Sequence, residues 1–152
     1  MAKFVFQMES ILSIKEKLED QAKAEYGMEM AKLREEERIL EGLIAKKDGY
    51  QTRLTLSVQD QLDIVEIKTL EDSVENAKYN INVQKMVIAN QQMQVDKARE
   101  KLDEAMKERK TYEKLKEKAF EEFKIEIEAQ ERKEVDELVS FRHRSAEESE
   151  DK

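Results

Sequence analysis

The stretch from Ile67 to Tyr112 constrains this chain more than any other. Read in sevens, it places Ile67, Val74, Ile81, Ile88, Val95 and Leu102 at one repeating position. Three residues on stand Leu70, Ala77, Gln84, Gln91, Ala98, Ala105 and Tyr112, and the residues between are mostly charged or amide. A helix cannot leave such a seam in water. An average spacing of 3.5 residues asks for a second helix wound around the first in a left-handed sense. Gln84 and Gln91 are polar at seam positions, which costs stability but can fix register. Ala77, Ala98 and Ala105 are small and allow close approach of the partner helix.

The partner is expected within the same chain. A second stripe runs Phe4, Met8, Ile11, Lys15, Leu18, Ala22, Tyr26, Met30, Leu33, Glu37, Leu40 and Ile44, with a stutter at Ala22–Tyr26–Met30. Asp48-Gly49 is a turn signal, after which Tyr50, Thr52, Leu54, Leu56 and Val58 alternate with polar residues. No other segment could pair with a strand there, so 48–62 reads as a connector. Asp63 then offers a helix cap, with Glu66 to complete a capping box and Leu62 and Ile67 to form a staple.

The expected fold is all-α: two long helices in an antiparallel coiled-coil hairpin, one domain over 1–144. Helix 1 is expected at about 4–47 and helix 2 at about 63–142, with 145–152 a disordered acidic tail. Folding the stripes together places Ile44 opposite Val74, Leu33 opposite Gln84, Ile11 opposite Ala105 and Phe4 opposite Tyr112. Beyond Tyr112 the second helix is expected to overhang, carrying an apolar stripe through Leu115, Ala119, Phe123, Ile127, Leu138 and Phe141 with Phe120 beside it. Such a stripe suits a docking surface or self-association.

Composition agrees with a seam between helices rather than a thick core. Charged residues make up 42% of the 152, with no proline and three glycines. The net charge of −8 and the absence of a dominant basic face argue against nucleic acid as a partner. There is no cysteine for a disulfide, thiolate chemistry or metal ligation. No signal-peptide core and no membrane-spanning run are visible, so a cytoplasmic location is expected. The one histidine, His143 between Arg142 and Arg144, reads as a helix-end cation. No glycine-rich phosphate loop or convergent acid–base set is present, and no enzyme, cofactor or metal site is expected.

These features leave a scaffold, a clamp and a stalk open. The opening Phe4-Val5-Phe6-Gln7-Met8-Glu9-Ser10-Ile11-Leu12-Ser13-Ile14-Lys15-Glu16-Lys17 is similar to the start of the FliJ family of flagellar export proteins. Ile67-Lys68-Thr69-Leu70-Glu71, the run from Ala98 to Lys110, Tyr112-Glu113-Lys114-Leu115-Lys116 and Gln130 to Glu137 continue the resemblance in order. It implies a coiled-coil stalk of the cytoplasmic type III export apparatus, peripheral to the inner membrane through its partners. One end would sit in the hexameric export ATPase and the other would face the membrane export gate, with export chaperones as further partners.

Leu43, Tyr50 and Leu70 match the family's gate-facing patch, while Lys46 and Glu66 stand where relatives can carry aromatic residues. The ATPase-ring contact is expected from Phe4 and Phe6 together with Leu115, Phe120, Phe123 and Ile127. The alternatives are a stalk of a virulence-type secretion system and a general dimeric coiled-coil scaffold.

Overall fold

The computed structural model describes residues 2–59 and 63–150. Two helices that pack against each other hold nearly all of them, and no strand occurs among the described residues. Helix α1 spans Glu9–Gln59, 51 residues, and α2 spans Ile64–Glu150, 87 residues. Contacts divide the chain into two compact units, 19–105 and a second made of 1–18 with 106–152.

In the unit 19–105 the two helices run antiparallel. Gln84 of α2 donates its amide to the backbone carbonyl of Glu36 at 2.9 Å and to the Glu36 carboxylate at 2.5 Å. Gln91 repeats the arrangement on Glu29, at 3.0 and 2.6 Å. One rung is one heptad from the other on both helices, seven residues forward on α2 and seven back on α1. The seam of α2 follows the sequence repeat. Leu70, Val74, Ala77, Ile81, Gln84, Val95 and Ala98 are buried, and Ile67, Ile88, Gln91, Leu102 and Ala105 are half-buried.

The stripe of α1 differs from the expected one. Its inward residues from Glu19 run Ala22, Tyr26, Glu29, Leu33, Glu36, Leu40, Leu43, Lys47, Tyr50, Leu54 and Ser57 in steps of three and four, with Met30 half-buried beside Glu29. Ala22, Tyr26, Met30 and Leu33 are inward as expected, whereas Glu37 and Ile44 are exposed. The reason is chemical. Continuing the spacing of the apolar residues past Leu33 selects Glu37, but Gln84 and Gln91 supply amides that let Glu36 and Glu29 occupy the seam. Long side chains also bury their stems while keeping charged ends near water, as Lys47 does here. Gln84 meets Glu36 and not Leu33, about one turn away, in line with the tilt of helical side chains toward their own N-terminus.

The segment expected as a connector is helical through Gln59. Thr52 and Thr55 donate their hydroxyls to the carbonyls of Asp48 and Gln51 four residues back, so neither competes with the helix. Tyr50, Leu54 and Ser57 turn inward at helical spacing while Leu56 and Val58 stay exposed. The strand-like alternation was overridden by the partner seam. Asp63 caps α2 as expected: its carboxylate accepts from the Val65 N–H at 3.2 Å and its carbonyl from Glu66 and Ile67. Leu62, the staple residue, lies outside the described residues.

In the other unit, residues 2–8 are not helical, contrary to the expected start at Phe4. The first bonds of α1 are Glu9 N–H to the Phe6 carbonyl at 3.2 Å and Leu12 N–H to the Met8 carbonyl at 2.9 Å. Ion pairs from Lys116 to Glu9 and from Lys15 to Glu108, both 2.8 Å, tie the two helices antiparallel. Helix α2 continues through Ser145–Glu150, the described part of the expected disordered tail. Asp151 and Lys152 lie outside the described residues.

Candidate functional site

Two places collect the residues singled out by sequence. The first is built by the N-terminal segment where it lies along α2. Phe4 meets the ring of Phe120 edge-on at 5.2 Å between centroids and that of Phe123, tilted, at 5.4 Å. This corrects the expected pairing of Phe4 with Tyr112. The helices are offset from the expected register: Lys116 pairs with Glu9 and Glu108 with Lys15, which carries Phe4 about two turns farther along α2 than Tyr112. Phe6 is buried. Leu115 and Phe120 keep about two-fifths of their surface exposed, and Phe123 and Ile127 are half-buried. The structure thus brings Phe4, Phe120 and Phe123 together. It also gives them a partner within the chain, where the sequence suggests a bare overhang.

Charge frames this cluster. The Lys124 ammonium stands 4.8 Å from the Phe120 ring centroid. Lys15 lies between the Glu108 carboxylate and the Tyr112 ring, 5.9 Å from its centroid. Its hydrogen bond to Glu108 raises its pKa above the ordinary lysine value. A shallow groove runs between the N-terminal segment and α2, lined by Phe4, Phe6, Met8, Leu115, Ala119 and Phe123. Farther along α2, Val135, Leu138, Val139 and Phe141 are exposed.

The second place is the end of the unit 19–105 where α1 gives way to α2. Leu43 and Tyr50 are half-buried in the α1 stripe and Leu70 is buried in the seam of α2. Because α1 extends to Gln59, Tyr50 lies about 14 Å and Leu43 about 24 Å from its end at 1.5 Å per residue. Near the last residue of α1 and the first of α2 are four residues not expected from the sequence to form a site: Leu56, Val58, Ile64 and Val65. All are well exposed, Ile64 the most at 80%. The alternation in 50–58 drew attention to a strand and hid this group. A helical reading with Tyr50, Leu54 and Ser57 inward would have pointed Leu56 and Val58 outward.

No convergent chemistry accompanies either place. Among the described residues no cluster of three or more His, Cys, Asp or Glu could hold a metal ion, and no helix is long and apolar enough to cross a membrane. His143 sits 3.6 Å from Glu147 one turn on. The arrangement offers apolar and aromatic side chains for contact with another macromolecule.

Comparison with known proteins agrees with this picture. The family model described as "Flagellar FliJ protein" matches residues 4–148. A relative from Bacillus subtilis (strain 168), also called Flagellar FliJ protein, is 27% identical over 136 residues, covering 89% of this chain and 92% of its own length. No solved structure matches the chain.

Proposed function

Because the chain belongs to the FliJ family, whose members are components of the flagellar export apparatus, we propose that it is the non-enzymatic stalk that couples the export ATPase to the membrane export gate in the cytoplasm. The observation that carries this reading is the pair of packed helices whose two contact-bearing places differ in kind. One is an aromatic cluster, Phe4 with Phe120 and Phe123. The other is a group of exposed aliphatic residues where α1 ends and α2 begins, Leu56, Val58, Ile64 and Val65. Two chemically different surfaces suit two different partners.

In this reading the aromatic cluster, with Phe6, Leu115 and Ile127, meets the ATPase hexamer. The aliphatic group, with Leu43, Tyr50 and Leu70, faces the gate. Export chaperones are further partners. A single hairpin has no sixfold symmetry and cannot contact six ring subunits alike. A subunit whose nucleotide affinity depends on that contact is biased, and the bias acts in both directions.

Steady-state ATPase assays across a range of enzyme concentrations test the proposal. Wild-type protein is expected to stimulate turnover and ring assembly. Phe120→Ser with Phe123→Ser is expected to lose that effect while circular dichroism shows the helices retained. Full stimulation by the folded double variant would place the ring contact elsewhere, and no stimulation by wild type would remove the coupling role.

A further inference from the structure

Between Tyr79 and Val95, Lys85 is the single charged residue in a chain that is 42% charged. The seam accounts for the apolar residues on one face of this stretch only. On the opposite face, at four- and three-residue steps, stand Tyr79, Val83, Met86, Asn90 and Met93, ending at Lys97. Ile81, Gln84, Ile88 and Gln91 point into the seam against α1. At 100° per residue the outer line is centred roughly 165° from them. Tyr79 is 67% exposed, Met86 74% and Met93 58%, and Val83 and Val87 are exposed as well.

We propose that this outer face of α2 is a second coiled-coil seam, and that its occupant is the same face of a second copy of the chain, parallel and in register. The order of residues argues for that occupant. Steps of four then three place Val83, Asn90 and Lys97 at one repeating position and Tyr79, Met86 and Met93 at the other. A β-branched residue at the first position favours two parallel strands, and an asparagine there specifies their register. In a parallel pair Asn90 meets its own equivalent, and each amide can donate to the other. Against an unrelated apolar helix it would be left without a partner.

Charge points the same way. Two copies each carrying −8 repel over most of their surfaces, and this is the stretch where repulsion is least. From Tyr79 to Val95 the flanking positions hold Asn80, Asn82, Val87, Ala89 and Gln94, so no like charges face one another there; the first to do so are the lysines at Lys97, where the seam ends. Packing against α1 has already ordered the helix, so association spends little on folding it. With about three layers the contact falls at the small end of protein interfaces, and the dimer is weak and concentration-dependent. Methionine at two layers accommodates imperfect fit.

The inference goes beyond the export role and does not depend on it. The absence of cysteine allows a clean test with single substitutions in the full chain. Tyr79→Cys, Met86→Cys and Met93→Cys should each form interchain disulfides under mild oxidation, whereas Arg34→Cys on α1 should not. Sedimentation equilibrium should show the mass rising with concentration, and Met86→Glu should abolish that rise with helicity unchanged. Val83→Glu provides a second break at the neighbouring layer should the first perturb folding. Cross-links at Met86→Cys but not at Tyr79→Cys or Met93→Cys would mean an antiparallel pair and overturn the proposed register. A dimer insensitive to both charge substitutions would lie on another face and overturn the site. A monomer at every concentration, with no cross-link at any of the three positions, would assign the stripe to a different polypeptide and overturn the second copy.

Discussion

The side-chain amide of Gln84 bonds two oxygens of one residue, the backbone carbonyl and the carboxylate of Glu36. A carbonyl already engaged within its helix keeps a second lone pair, and the carboxylate is held against the seam by the same donor. Gln91 does the same for Glu29. The polar seam residues are therefore satisfied in pairs, and no buried side-chain nitrogen or oxygen lacks a partner among the described residues.

Removing one amide should cost more than a surface substitution. Gln84→Ala leaves the Glu36 carboxylate at the seam without its donor and opens space beside it. The expected loss is about 1–3 kcal/mol, read from urea or thermal unfolding followed at 222 nm. A change within about 0.5 kcal/mol, the range of ordinary surface substitutions, would mean that water replaces the amide at no cost.

Acid should loosen the Gln91–Glu29 rung. The hydrogen bond from Gln91, aided by Lys32, holds the Glu29 carboxyl below its ordinary value. A lowered folded pKa contributes stability that is fully present above the ordinary glutamate value and lost as pH falls through the lowered one. Gln91→Leu should therefore show a smaller loss of unfolding midpoint than wild type when pH is taken from neutrality to below that range. Parallel acid curves for the two proteins would show that the rung does not depend on ionisation.

The corrected α1 stripe makes a paired prediction. Leu33 is buried and Ile44 is exposed, although an apolar reading of the sequence treats both as seam residues. Leu33→Ala should cost about 2–3 kcal/mol. Ile44→Ala should cost less, about 1–2 kcal/mol, because over a third of its surface already faces water. Equal losses would restore the expected stripe.

Phe4→Ala should detach the N-terminal segment without unfolding the helices. It removes two ring contacts, worth about 1 kcal/mol in total beyond the buried area. Hydrogen exchange at the Glu9 amide, which bonds the Phe6 carbonyl, is expected to accelerate while amides within α2 keep their protection. Unchanged exchange at Glu9 would mean that Phe6 alone anchors the segment.

How far the sequence reveals this molecule depends on how apolar each stripe is. The α2 seam from Ile67 was readable because its repeat is clean, and the cap at Asp63 because its side chain acts locally. The α1 stripe was readable only in part, since Glu29, Glu36 and Lys47 are inward residues that no hydropathy rule selects. Their placement depends on a partner such as Gln84, 48 residues away. Asp48-Gly49 misled for a related reason: packing of Tyr50, Leu54 and Ser57 carries the helix through a local turn signal. Phe4, Phe120 and Phe123 were legible as aromatic residues near a chain end, but their mutual contact was not. That contact follows from the offset of the two helices, which Lys116 on Glu9 records.

The two glutamine rungs also set how α1 can move along α2 within the unit 19–105. Displacing one helix by a heptad, about 10 Å at 1.5 Å per residue, keeps one rung and breaks the other: Gln84 takes Glu29 while Gln91 comes against Ala22, or Gln91 takes Glu36 while Gln84 comes against Leu43. Any shorter displacement breaks both. Sliding is thus notched rather than continuous, with the native position deepest and a shallower notch on either side. Pulled along its axis in a single-molecule experiment, such a pair would yield in steps of that pitch, and a smooth yield would show that the rungs do not act as stops. A helix pair notched in this way passes an axial push from one helix to the other without creeping, until the load is large enough to jump a whole repeat.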